Sequence, residues 1–249
     1  MAWGGGGKNL TARIAPDMLG SKMGTKMVPV RALNTPTISK CTVLRGEAIR
    51  DDGRSPKPLF WALDVAKVLE ERVFASIVEE LGGLDLIVYV AGYMPRTDDR
   101  VFNPEIDRKI MEVNAMGAID WLDFAANHFR QQGHGALAAI SSVSGDRGRR
   151  RKHAYGASKA ALDTFMEGLR NTLSVEGIRV TTIRPGFVDT AMTSGLDGLF
   201  WVVSPEKVAE RTIKAIEKGE GIVYFPARWR IVMWIIRNIP SFLFRRLNI

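Results

Sequence analysis

The sequence predicts a single α/β domain with a doubly wound parallel sheet, and three observations predict it. From residue 59 onward, short apolar runs alternate with amphipathic stretches about 10–25 residues long. Hydrophobic residues make up 46% of the 249 positions, enough for one sizeable core. A single cysteine, Cys41, leaves no disulfide framework and no multi-cysteine zinc site, so the core must hold the fold. Strands separated by helices of this length are βαβ units, whose parallel strands carry helices on both faces.

Taken in order, residues 59–63 form a short apolar run that leads to Asp64. Residues 66–81 are amphipathic, with Val68, Leu69, Val73, Ile77, Val78 and Leu81 at helical spacing. Residues 84–90 read as a buried strand running into Ala91-Gly92. One long helix is expected over 104–132, around Met111, Ala115 and Trp121. Residues 135–141 give the next strand, 154–176 the next helix, and 178–183 a strand bounded by Pro185-Gly186. Residues 205–218 form a helix with Ser204 as N-cap, Pro205 at the first helical position and Glu206 in the first turn. Residues 221–225 are the last strand, and no internal repeat is evident.

The first 57 residues differ from this pattern. They hold the glycine run 4–7 and five prolines in the stretch to Pro58, with no sustained period of 2 or 3.6. The strand-like piece there is 41–44. No apolar segment precedes a small-residue cleavage site, so no signal peptide is expected. The chain is therefore divided into an atypical segment 1–57, a catalytic domain 58–226 and an amphipathic tail 227–249. The net charge of +8 follows this division. Residues 1–60 carry ten Lys/Arg against four Asp/Glu, and residues 227–249 carry five Arg and no acid. Residues 61–226 hold 20 Lys/Arg against 23 Asp/Glu, a net of −3. That distribution, with no RNP, zinc-finger or helix-turn-helix signature, argues against a nucleic-acid partner. His128, His134 and His153 are too dispersed for a metal cluster, and no metal is expected.

In an open parallel sheet, ligands sit beyond the carboxyl ends of the strands. The turns that matter are therefore Asp64-Val65, Ala91-Gly92, Ser141 to Gly145 and Pro185 to Thr190, with the helix that opens Tyr155-Gly-Ala-Ser-Lys159. Tyr155 and Lys159 are four apart, so a helix stacks them on one face. An ammonium beside a phenol favours the phenolate and draws its pKa towards neutrality, which suits proton exchange with a carbonyl or alcohol. Ser142, at the mouth of the preceding strand, can hold the same oxygen. A Tyr-x-x-x-Lys pair alone is weak, since chance supplies one in about a fifth of chains of this composition.

Ser142 thirteen residues before Tyr155, Asn114 in Val-Asn-Ala-Met-Gly, and Pro185-Gly186 after the next strand make a more specific set. Together they resemble the short-chain dehydrogenase/reductase family, over residues from about 60 to the C-terminus. The resemblance implies a Rossmann-type fold and hydride transfer between NAD(P)H and a carbonyl. It implies that Tyr155 is the general acid/base and that Lys159 lowers its pKa and bonds the nicotinamide ribose. Ser142 would orient the carbonyl, and Asn114 would anchor a water relaying protons to Lys159. Asp64 and Val65 would contact adenine, and Ala91-Gly92 would pass close to the cofactor. Pro185, Gly186, Val188 and Thr190 would line its nicotinamide end. A homo-oligomer is expected from family habit.

The family's opening strand and Thr-Gly-x-x-x-Gly-x-Gly turn, which cradles the pyrophosphate, have no counterpart here. The glycine run 4–7 has no strand before it, and Gly20 to Gly24 lacks the third glycine. Val90 also replaces the Asn of the family's Asn-Ala-Gly turn. Two readings remain open: residues 1–57 come from a misread start or shifted frame, or the protein binds dinucleotide poorly.

Five cationic side chains, Arg147, Arg149, Arg150, Arg151 and Lys152, lie between Ser142 and Tyr155. They read either as a solvated loop or as a clamp for a substrate anion, with Arg147, Arg149 and Arg150 as the candidates. The tail interleaves Trp, Ile and Phe with Arg, in apolar runs too short to span a bilayer. It suits a helix lying in an anionic membrane interface, or one packed on a neighbouring subunit. Gly145-Asp-Arg-Gly-Arg-Arg150, Arg230-Ile-Val-Met233, Ile239-Pro240 and Phe244-Arg-Arg-Leu247 resemble the decaprenylphosphoryl-2-keto-ribose reductase-like members of the family. That resemblance implies a keto sugar on a polyprenyl phosphate as substrate, at the inner face of the cytoplasmic membrane. The alternatives are a cytoplasmic reductase of a soluble or acyl ketone, and a non-catalytic protein that kept the fold and lost the dinucleotide.

Overall fold

The computed structural model describes residues 40–44 and 59–62 as strands, and residues 71–95, 102–150, 152–194, 196 and 198–247 in full. Six strands form one sheet: β1 (Lys40–Leu44), β2 (Leu59–Ala62), β3 (Leu86–Tyr89), β4 (Ala136–Ile140), β5 (Arg179–Pro185) and β6 (Ile222–Phe225). Their spatial order is β2-β1-β3-β4-β5-β6. Strands β3 to β6 are parallel, as the βαβ pattern requires. The helices are α1 (Glu71–Leu81), α2 (Pro104–Met111), α3 (Gly117–Gln132), α4 (His153–Leu173), α5 (Pro205–Glu217), α6 (Trp229–Asn238) and α7 (Ser241–Phe244).

The strand expected at 41–44 is present as β1, but it runs antiparallel to both neighbours. Residues 45–58 carry no helical period of apolar residues, so no amphipathic crossover is available to make β1 and β2 parallel. The consequence is positional. The carboxyl end of β1, Leu44, pairs with Leu86 at the start of β3, while Cys41 pairs with Tyr89 at its end.

The two faces of the sheet are covered by different helices. Ile87, Tyr89, Leu137 and Ala139 point to one side, where they pack with Phe74, Ile77 and Leu81 of α1, Trp121, Leu122 and Phe129 of α3, and Leu162 and Met166 of α4. Val88 and Ala138 alternate to the other side and meet Ile216 of α5, while Ala215 packs with Ile183 and Val223. Central strands buried on both faces are apolar throughout, and β4 is built from Ala-Leu-Ala-Ala-Ile for that reason.

The helix expected over 104–132 is not regular. A π-turn over residues 112–116 separates α2 from α3 and carries Asn114. Such inserts widen a helix by one residue and re-aim what they carry. Asn103 caps α2, its Oδ1 accepting from the N–H of Glu105 and Ile106. Ser204 caps α5, its Oγ accepting from Lys207 N.

In the tail, Trp229, Met233 and Ile236 are four and three apart and form the buried face of α6. They pack with Val143, Phe187, Trp201, Tyr224 and Phe244. The opposite face exposes Ile231 at 65%, Trp234 at 68% and Ile235 at 51%. No helix among the described residues is long and apolar enough to cross a membrane.

Candidate active site

Strand β4 ends at Ile140, and the chain turns at Ser141 and Ser142 into a short 3₁₀ turn, Val143–Gly145. Ser142 has extended backbone and caps that turn, its Oγ accepting from Ser144 N at 3.1 Å. Tyr155 stands in the first turn of α4 and is hydrogen-bonded to Ser142. Lys159 follows one turn later, buried, with its Nζ donating to Ile140 O at 2.9 Å. That Nζ is 5.9 Å from the centroid of the Tyr155 ring. The three residues that the sequence singled out for proton transfer therefore meet beyond the carboxyl end of β4.

Gly92, which follows β3, borders the same space. A Cβ placed on it would lie 4.0 Å from Lys159 Nζ and 3.8 Å from Met192 Cε, ordinary contact distances. Asn114 fixes this segment from behind. Its Oδ1 accepts from Tyr93 N at 2.6 Å, and its Nδ2 donates to Tyr93 O and to Ser158 Oγ, each at 3.0 Å. Ser158 is in turn bonded to Tyr155 O, so Asn114 ties the β3 turn to the Tyr155 helix. Its side chain acts on the backbone here and makes no contact with Lys159.

The electrostatics differ from the simplest expectation. Burial pushes the Tyr155 phenol above its ordinary value of 10.0, and the Ser142 hydrogen bond opposes that rise without cancelling it. The lowering of Tyr155 expected from Lys159 is absent. The ammonium is directed at Ile140 O, and burial lowers its own pKa to about 8, with Asp163 opposing the fall. At neutral pH the phenol is protonated, which is the acid form that carbonyl reduction needs.

The remaining predicted residues are scattered more widely. Asp64 and Val65 lie outside the described residues. Ala91 is buried in the core behind the β3 turn. Pro185 closes β5, and Gly186 N donates to Phe225 O at 3.0 Å. Val188 bridges to Val203, and Thr190 N donates to Thr193 Oγ1 at 3.1 Å. Gly186 has a second reason to be glycine: a Cβ there would lie within the van der Waals envelope of the Trp229 indole.

The arginine loop faces the tail. Arg147 Nη1 donates to Ile236 O and Ile239 O, at the end of α6, and its guanidinium lies 3.9 Å from the centroid of Phe244. Arg150 Nη2 donates to Arg245 O, and Arg149 Nη2 contacts Met233 Sδ at 3.3 Å. These side chains dock the tail, an arrangement that the two sequence readings, solvated loop and substrate clamp, did not include. Carbonyls at a helix C-terminus lack intrahelical donors and carry negative partial charge, so they draw the arginines.

Sequence reasoning missed the aromatic wall that this docking creates. Trp229 stacks on Phe200 at 5.3 Å and meets Phe187 and Trp201 edge-on at 5.8 and 5.6 Å. Trp201 sits at φ 56°, a left-handed conformation rarely adopted by bulky residues. The pair Phe200-Trp201 just before a helix cap was the available signal, but its partner lies 28 residues away.

A sequence model described as short chain dehydrogenase matches residues 42–197, from β1 to the loop after β5. This chain belongs to the short-chain dehydrogenase family. Curated relatives agree at the same level. An uncharacterized oxidoreductase of Mycobacterium tuberculosis is 33% identical over 173 residues, 70% of either chain. One of Myxococcus xanthus is 33% identical over 203 residues, 80% of either chain. A short chain dehydrogenase from Burkholderia cenocepacia, solved in complex with NADP, shares the fold with a TM-score of 0.64 at 22% identity, over 75% of this chain and 79% of that one. The short-chain dehydrogenase fold explains why Ser142, Tyr155 and Lys159 converge at the carboxyl edge of the sheet.

The residues fit the nicotinamide-ribose end of a dinucleotide. A Cβ on Gly92 would lie 4.0 Å from Lys159 Nζ, and Ser142 lies beside the Tyr155 hydroxyl. The pyrophosphate end fits less well. Because β1 is antiparallel, its carboxyl end, Leu44, pairs with Leu86 at the start of β3, the end of the sheet away from Gly92.

Proposed function

We propose that this chain is an NAD(P)-dependent reductase of a carbonyl, with Tyr155 as the acid that protonates the carbonyl oxygen. The meeting of Ser142, Tyr155 and Lys159 beside Gly92 carries this reading. A bound nicotinamide dinucleotide supplies the hydride to the carbonyl carbon. Ser142 donates a hydrogen bond to the carbonyl oxygen and fixes it against the phenol. Tyr155 gives its proton to that oxygen and becomes a phenolate, with the Lys159 ammonium 5.9 Å from its ring centroid. Lys159 would also bond the ribose, with Ala91, Gly92, Pro185, Gly186, Val188 and Thr190 as the nicotinamide wall. The phenol is protonated at pH 7, the form that can act as the acid in carbonyl reduction. The NADP bound to the Burkholderia relative supports NADPH as the first cofactor to test.

Tyr155→Phe is expected to lower kcat by at least about a hundredfold, the scale of general acid catalysis, with NADPH affinity by fluorescence titration unchanged. Unchanged turnover would remove the mechanism, and a parent protein that binds neither NADPH nor NADH would remove the enzyme reading.

The finer reading is a lipid-linked substrate, such as a keto sugar on a polyprenyl phosphate, reached at an anionic membrane surface. Its support is the tail: Ile231, Trp234, Ile235, Phe242 and Leu243 are exposed among five arginines with no acid. The protein is expected to float with vesicles containing phosphatidylglycerol, and an Ile231→Asp/Trp234→Asp variant to remain in the soluble fraction. Equal partition of the two proteins would count against membrane contact.

A further inference from the structure

Beneath the Ser142 turn lies a group of charges that the reaction above does not use. Arg184 on β5 stands between two carboxylates, with Nη1 3.0 Å from Asp146 Oδ1 and Nε 3.1 Å from Asp163 Oδ2. None of the three side chains is more than 10% exposed. Tyr224 on β6 closes the set, its hydroxyl accepting from Arg184 Nη1 at 2.8 Å and donating to Asp146 Oδ2 at 2.9 Å. Burying ions costs several kcal/mol each before their attraction is counted, and apolar residues of similar volume often do as well or better for stability. A role besides packing is therefore worth seeking.

The placement of the group supplies one. Asp146 follows the Ser142 turn, Arg184 precedes Pro185-Gly186, and Asp163 lies one helical turn after Lys159 on the same face of α4. Helical side chains lean towards the N-terminus, so Asp163 covers the turn that carries Lys159. A Cβ on Gly145 would come 2.8 Å from Asp163 Oδ2 and 2.9 Å from Lys159 C, so carboxylate and lysine backbone press on the same glycine. Ser141 lies beside Asp163, and its hydroxyl donates to Lys159 O at 3.4 Å. The Arg184 contact is an ion pair off the hydrogen-bond line, and neither Asp163 oxygen has an aligned donor. The negative charge of Asp163 is thus incompletely answered by its own neighbours.

We propose that Asp163 is the positioning carboxylate of Lys159: ion-paired to Arg184 and one helical turn from the lysine, it balances the buried ammonium that rests on Ile140 O. Its consequence for turnover rests on the reductase reading; the charge relation does not. Asp163 is the charged neighbour that raises the pKa of Lys159 against burial. The groups facing Asp163 are Arg184, Ser141 and Asp146, with Tyr224 behind them and Arg170 two further turns along α4. Arg170 is held on Val180 O and Thr182 Oγ1, and it does not reach the Lys159 side of the carboxylate.

The test is an NMR titration of cofactor-free protein carrying isotope-labelled lysine, with the Lys159 signal assigned by its loss in Lys159→Met. The Lys159 midpoint is expected to fall by about one pH unit in Asp163→Asn and to return towards the parent in Asp163→Glu. A folded Asp163→Asn with the parent midpoint overturns the proposal, because a purely structural aspartate would change the melting temperature alone. If Asp163→Asn does not fold, Asp163→Asn/Arg184→Gln removes one charge of each sign, and the same fall is expected there; an unchanged midpoint overturns the proposal. The alkaline limb of kcat should move down by the same interval. A shifted titration in a protein without reductase activity would support Asp163 and sink the reductase reading.

Discussion

Trp229→Ala is expected to destabilise the protein by about 3–5 kcal/mol, the range for removing a fully buried tryptophan. Trp229 is 1% exposed and carries the contact between the tail and the body of the domain. Its ring lies over Gly186 and against Phe187, Phe200 and Trp201, and its cluster includes Val143, the residue after Ser142. The alanine leaves a cavity whose walls are held by separate elements, so collapse into it is incomplete. Trp229→Phe should cost less, because the indole N–H is buried without a protein acceptor and its removal relieves that penalty. Urea unfolding followed by circular dichroism measures both. A loss below about 1 kcal/mol for the alanine would show that the tail packs independently of this wall.

Lys159→Met is expected to raise stability by about 2 kcal/mol at pH 7 while abolishing turnover. Burial lowers the Lys159 pKa from its ordinary 10.5 to about 8, so below pH 8 the fold retains a desolvated ammonium. The shift corresponds to roughly 3 kcal/mol, and the orphaned Ile140 O returns about 1 of that. Between pH 8 and 10.5 the unfolded chain binds more protons at this site than the folded one. Parent stability should therefore rise with pH across that window, and the advantage of Lys159→Met should vanish within it and reverse to a loss of about 1 kcal/mol at its upper end, where only the orphaned Ile140 O remains. Melting temperatures of both proteins at pH 7 and near pH 10 test the sign. A variant less stable than the parent at neutral pH would show that Lys159 contributes more to the fold than its burial takes away. Buried functional groups commonly reduce stability in this way.

Much of the site was legible because its chemistry is local. Tyr155 and Lys159 are four apart on one helix, and Ser142 ends a strand one loop earlier. Helical geometry and the sheet's carboxyl edge then leave little freedom in where they meet. The arginine loop was left between two readings for the opposite reason. A run of cations looks the same whether its partner is a substrate phosphate or the backbone carbonyls of a helix about 90 residues later in the chain. Asp163 and Arg184 were passed over because each is unremarkable in its own window, and they become a pair when β5 is laid beside α4.

By itself, the sequence determined the βαβ order and the buried faces of the helices, which follow from periods of 2 and 3.6, and it singled out Ser142, Tyr155 and Lys159 as the candidates for proton transfer. It also determined that the family's glycine turn is missing. Only the tertiary structure decided the direction of β1, the use of Arg147 and Arg150 to hold the tail, and the balance that leaves the Tyr155 phenol protonated. Those depend on which distant groups share a low-dielectric space, and burial there changes a charge's energy more than any neighbour in sequence does.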